Sequence, residues 1–166
     1  MGMANMRIGH IEVTQPGSVP GLRSPGVGFE QPFEMLDACH DRVRRTLELM
    51  GKLQTHLQTH GCDDSARQAA RDVQRYFDIA APLHHQDEEL HIFPALRERL
   101  AEDAPLLALV QRLEQDHRDM DAQWSTVVRG SLEALSDGSS STFSPEQRYA
   151  LNAFRERYEQ HLALED

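Results

Sequence analysis

Leu83-His84-His85-Gln86-Asp87-Glu88-Glu89-Leu90-His91-Ile92-Phe93-Pro94 is the stretch on which the reading of this chain turns. It places a histidine four residues before a glutamate, and the same spacing returns at His161-Leu162-Ala163-Leu164-Glu165. Four residues is a little over one helical turn, so each pair shares one helix face. An imidazole nitrogen and a carboxylate on one face can grip one metal ion. Two such faces across a bundle, joined by single histidines from two further helices, can grip two. The chain supplies those singles as His40 and His117, each inside its own helical pattern.

Working outward, four helical patterns carry these residues. The first runs from about Pro32 to His60, with Phe33, Leu36, Val43, Leu47, Met50 and Leu57 as its apolar stripe and His40 inside it; Gly61 is a natural stop. The second starts with Asp63 or Asp64 as N-cap and runs to about Leu100, turning Ala70, Val73, Phe77, Ala81, His84, Glu88 and Ala95 inward. Pro82 predicts a kink in it, and Pro94 a bend or loosening of its last turns. The third spans about Ala104 to Leu135, capped by Asp103 with Pro105 in the first turn; its stripe is Leu106, Val110, Leu113, His117, Met120, Trp124, Val127 and Leu135. After a Ser- and Gly-rich loop, Ser144-Pro145-Glu146-Gln147 reads as a capping box opening the fourth helix, striped by Leu151, Phe154, Tyr158, His161 and Glu165. Long helices with short connections predict an all-α, up-down-up-down antiparallel four-helix bundle over residues 30–166. Residues 1–29, broken by Pro16, Gly17, Pro20, Gly21, Pro25, Gly26 and Gly28, read as a flexible N-terminal segment.

Composition agrees. A chain of 166 residues suits one domain, and 39% hydrophobic residues with only 6% aromatics favour helices over sheet. The net charge of -10 argues against nucleic acid as a partner. Cys39 and Cys62 lack CxxC spacing and read as free thiols in a reducing cytoplasm. No apolar run approaches the ~20 residues of a membrane span, and no apolar secretion signal opens the chain, so a cytoplasmic location without membrane attachment is expected.

In every helix the metal-type residues interrupt the apolar stripe instead of lying on the wet face. A buried, unpaired carboxylate costs several kcal/mol, so two glutamates among four histidines call for a compensating cation. Imidazole with carboxylate suits a first-row transition metal and disfavours Mg²⁺ and Ca²⁺, which prefer oxygen alone. No cysteine joins the set, which argues against structural zinc. The natural product is a carboxylate-bridged di-iron centre with an oxo or hydroxo group, open to O2, NO or peroxide.

The segment from Leu83 to Pro94 also resembles the H-x-x-x-E-E…F-P signature of hemerythrin-like (HHE cation-binding) domains. The resemblance covers about residues 31–166: His40-Asp41 and His117-Arg118 match the single-histidine positions of that family, and His161 with Glu165 its closing pair. It implies His40, His84, Glu88, His117, His161 and Glu165 as ligands of two iron ions, with the glutamates as bridges. Spacing alone leaves a second register open, because His85 and Glu89 also stand four apart; the family register, with the first glutamate six residues before the proline, favours His84 and Glu88. Oxygen-carrying hemerythrins place a second histidine four residues after the third-helix histidine, where this chain has Asp121. It is therefore more similar to the four-histidine branch, which includes iron–sulfur-cluster repair proteins and members that handle nitric oxide or peroxide. The resemblance implies small-ligand binding or reduction in sensing, detoxification or repair, with a redox partner protein or a homodimer as macromolecular company. The sequence ends one residue after Glu165, which places that ligand on a last turn expected to fray.

The remaining polar residues carry lesser expectations. His85 lies about 100° from His84 around the helix and is expected to be exposed. His91, seven residues after His84, falls on the site face and is expected at its rim. Asp121 is a candidate acceptor for His117 or a bound water. Trp124 and Tyr158 are expected to pack in the core, and Phe77, Leu47 and Met120 to wall the pocket. The competing reading is a ferritin-like di-iron oxidase or ferroxidase, for which Glu88-x-x-His91 and Glu114-x-x-His117 would supply the motifs.

Overall fold

Each apolar stripe closes onto a helix, and the helical interruptions gather around the two prolines and Trp124. The computed structural model of the protein describes residues 32–166; the expected flexible segment over residues 1–29 lies outside the described residues, as does the side chain of Phe33. The first rod is α1 (Pro32–His60). The second is α2 (Asp64–Arg75), α3 (Ala81–Asp87) and α4 (Phe93–Arg99), joined by π-helical turns over Tyr76–Ala80 and Glu88–Ile92. The third is α5 (Ala104–Gln123) and α6 (Arg129–Ser136), joined by a π-helical turn over Trp124–Val128, and the fourth is α7 (Pro145–Glu165). Helix α1 packs on α2, α2 on α6, α5 on α7 and α7 back on α1, so the four rods close into a ring. With short reversals between consecutive rods, this is the antiparallel four-helix bundle that the stripes predict, and no strand occurs among the described residues.

The ends of the rods are set locally. Gly61 and Gly138 take the left-handed backbone, φ 72° and 80°, at the first and third reversals. Asp63 caps α2 by accepting from the Ala66 N–H, and Asp103 caps α5 by accepting from Leu106. Ser144 and Gln147 form the full capping box at the head of α7.

Pro82 and Pro94 do not break the second rod. A proline lacks an N–H and crowds the carbonyl four residues back. A π-turn lies just ahead of each: the Ala81 N–H reaches five residues back to Tyr76, and that of Phe93 to Glu88. Arg129 does the same to Trp124 without a proline. Each widened turn delays the inward register by one residue. Ala95, expected inside, is therefore exposed, while Phe93 is buried and Leu96 half-buried in its stead. Val127, also expected inside, is 40% exposed, and Val128 at 0% takes its place. His91 is carried off the site face into solvent.

Two apolar clusters result. The larger includes Val43, Leu47, Met50, Phe77, Met120, Trp124, Leu132 and Phe154. The smaller holds Phe93, Val110 and Leu113, with Ile92, Leu96, Leu109 and Leu164 packed against it. Along the second and third rods, the buried histidines fall between the two.

Candidate metal centre

His40 on α1, His84 on α3, Glu88 at the start of the second π-turn, His117 on α5, and His161 and Glu165 on α7 converge between these clusters. Their ligand atoms form two groups, each within 4.8 Å: His40, His84, Glu88 and Glu165, and then Glu88, His117, His161 and Glu165. The glutamates belong to both groups. One oxygen of Glu88, Oε1, lies 3.2 Å from His84 Nε2 and 3.8 Å from His40 Nε2, while Oε2 lies 3.2 Å from His117 Nε2. Glu165 repeats the arrangement, with Oε2 3.1 Å from His40 Nε2 and Oε1 3.0 Å from His161 Nε2. Each carboxylate thus turns one oxygen toward each histidine pair.

The imidazole and carboxylate atoms are at ion-pair distance, yet most of them are not aimed at one another; a 3.1 Å hydrogen-bond contact joins only His117 Nε2 to His161 Nε2. His40 Nε2, Glu88 Oε2 and both Glu165 oxygens are buried without a hydrogen-bond partner. Buried polar atoms left without partners around common points are what a pair of cations would satisfy. The electrostatics agree. Burial resists charge on His40, but Glu165, Glu88 and Asp166 overcome it and raise its pKa to about 10. Burial likewise resists charge on His117, and Glu88 and Glu89 outweigh it upward. Burial opposes ionisation of Glu88 and Glu165, and the neighbouring histidines outweigh it, holding both carboxyls below their ordinary range. Two buried carboxylates therefore demand positive charge, and metal ions supply it in the form these donors fit.

Two of the outer nitrogens, those of His40 and His117, are held by carboxylates that spacing did not reveal, and that of His161 has one nearby. His40 Nδ1 lies 3.2 Å from Asp166, which also pairs with Arg44. His117 Nδ1 lies 2.8 Å from Glu89, and His161 Nδ1 stands 3.6 Å from Asp116. A carboxylate behind a ligating imidazole fixes its orientation and raises its basicity. Asp121, the expected partner of His117, is displaced by Glu89 and stands instead 4.0 Å from His85 Nδ1. Nor does Glu165 fray: α7 runs through it, its side chain is 7% exposed, and Asp166 ties the end to α1.

His85 is not exposed; it is 5% accessible. Relative to the inward residue Ala81, His84 falls about 60° to one side and His85 about 40° to the other, so both straddle the buried line. The His85 ring stacks on His117, centroids 3.9 Å apart and planes 9° apart, and its Nε2 lies 3.3 Å from the Tyr158 hydroxyl. Burial, with the neighbouring His117, His84 and His161 rings, pushes its pKa down to about 2, so it is a neutral ring. Tyr158 and Trp124 are core residues as expected, the latter donating to Asp78. The ferritin-like motifs do not assemble: His91 faces solvent, and Glu114 pairs with Arg97 at 2.7 Å.

Comparison with known proteins agrees with this geometry. The model of the hemerythrin HHE cation binding domain matches residues 31–166. An uncharacterised Haemophilus influenzae protein is 30% identical over 139 residues, covering 83% of this chain and 76% of that one.

Proposed function

The chain belongs to the hemerythrin HHE cation-binding domain family, and from that premise we propose that it holds two iron ions and binds a small ligand, O2, NO or peroxide, on them. His40 and His84 would hold one ion and His117 and His161 the other, with Glu88 and Glu165 available to both. The observation that carries this reading is the division of each glutamate, one oxygen toward each histidine pair. Iron bound there supplies reversible electron transfer and an affinity for small oxygen- and nitrogen-containing ligands.

The chain's own residues do the rest. Glu89 and Asp166 orient the imidazoles they back, and the two apolar clusters keep bulk water from the donors. Electrons for any reduction come from a redox partner protein, and the reducing cytoplasm is the setting in which Cys39 and Cys62 stay free. Among the described residues no helix is long and apolar enough to cross a membrane.

Iron analysis with optical spectra, before and after O2, NO and peroxide, tests the reading. Two irons per chain and a near-ultraviolet spectrum that responds to at least one of the three are expected. Protein purified with ample iron that holds none, or a spectrum indifferent to all three, overturns it.

A further inference from the structure

We propose that His85 and Tyr158 act as a hydrogen-bonded pair in which Tyr158 fixes the His85 tautomer and His85 offers its Nδ1–H to the small ligand bound at the iron pair. This rests on the reading above. The family register leaves His85 without a part, and it lies outside both donor groups.

The pair is buried on every side. Tyr158 is 3% exposed and His85 5%, on different rods, and their polar atoms meet at 3.3 Å. Among the described residues the Tyr158 hydroxyl has this one hydrogen-bond partner. A neutral imidazole carries one N–H, so two arrangements exist. If Nε2 donates to the tyrosine, a buried O–H and a bare Nδ1 are both left unsatisfied. If the tyrosine donates to Nε2, only the Nδ1–H remains. The second arrangement leaves fewer buried polar groups unpaired and is favoured.

That N–H has no acceptor: Nδ1 is buried without a partner, and the nearest carboxylate, Asp121, is 4.0 Å away, beyond hydrogen-bonding reach. The ring that carries it lies face to face with His117, whose Nε2 belongs to the candidate centre. His84 and His161 rings stand at 6.0 and 6.2 Å. An unfilled donor one ring's thickness from a ligating histidine suits an anionic or polar ligand on the metal. His85 is thus a positioning residue for that ligand, and Tyr158 a positioning residue for His85.

Two measurements test the pair. In metal-free protein, nitrogen-15 NMR of the histidine side chains reports the tautomer directly. The Nδ1–H form is expected for His85, and Tyr158→Phe should shift the ring toward the Nε2–H form. In iron-loaded protein, azide titration followed optically is expected to show about tenfold weaker binding in His85→Leu, partial rescue in His85→Gln, and several-fold weakening in Tyr158→Phe, with two irons retained throughout. An Nε2–H tautomer in the unmutated protein overturns the proposal. So does unchanged azide affinity in His85→Leu beside a lowered melting temperature, which would mark a packing role alone. Loss of an iron from folded His85→Leu overturns it too, by making His85 a ligand. If His85→Leu does not fold, Tyr158→Phe decides by the same azide criterion. Failure of the iron reading itself is separate, since it appears as absent iron in the unmutated protein whatever the tautomer.

Discussion

The larger apolar cluster and the polar layer next to it are built from the same four rods but held by different forces. In the larger cluster, Leu132, Leu135, Leu151 and Val43 are fully buried, and each contributes free energy in proportion to the area it removes from water. It needs nothing from outside the chain. In the polar layer, burial works against the residues: His40, Glu88, His117 and His161 are as inaccessible as the leucines, yet each loses hydration that only a charged neighbour or a cation restores. The smaller cluster beyond it, three buried side chains, is too slight to carry the layer alone. One end of the bundle is therefore stable by itself, and the other is stable in proportion to what it binds.

Substitutions break the comparison in order of size. Glu88→Ala should have the largest effect, because it removes an oxygen from each histidine pair and leaves protonated rings without their partner. A loss of about 3–5 kcal/mol is expected, together with loss of iron. Thermal melts with and without iron, beside an iron assay, check both; a variant that keeps two irons would show that Glu88 does not bridge. Leu132→Ala, from the apolar end, should cost about 2–5 kcal/mol, by the same amount in loaded and metal-free protein, with iron content unchanged. A cost that appears only in the loaded form would mean that the two ends are not separable. Glu89→Ala should have the smallest effect on stability, since its side chain is 42% exposed. It should still weaken iron binding by about 10–100-fold through His117, measured by competition with a chelator. Unaltered affinity would demote Glu89 to a surface residue.

How much was legible in advance follows the range of each interaction. The caps at Asp63, Asp103 and Ser144 depend on three or four neighbouring residues and were readable from them. Helical spacing inside apolar stripes pointed to the converging side chains, but it left His85 and Glu89 as open as His84 and Glu88, and only the resemblance to a family register chose between them. Val127 and Ala95 were misplaced because a straight α-period was carried across turns that are π-helical; a proline warns of an interruption without saying that it will be absorbed by one extra residue. His85 was misplaced for a related reason. Its offset from His84 puts it on the wet side, whereas from Ala81 both rings straddle the buried line, and a stripe wide enough to bury two adjacent residues looks the same in sequence as one that buries only the first.

Sequence alone thus determined the four rods, their capped ends and the apolar faces that carry the polar side chains inward, because periodicity and capping are properties of a single helix. Tertiary structure decided which carboxylates stand behind the histidines, that His85 meets Tyr158, and that each glutamate faces two ways. Those contacts join rods far apart in the chain, and their partners are chosen by how the rods pack and rotate against one another, which no spacing within one helix records.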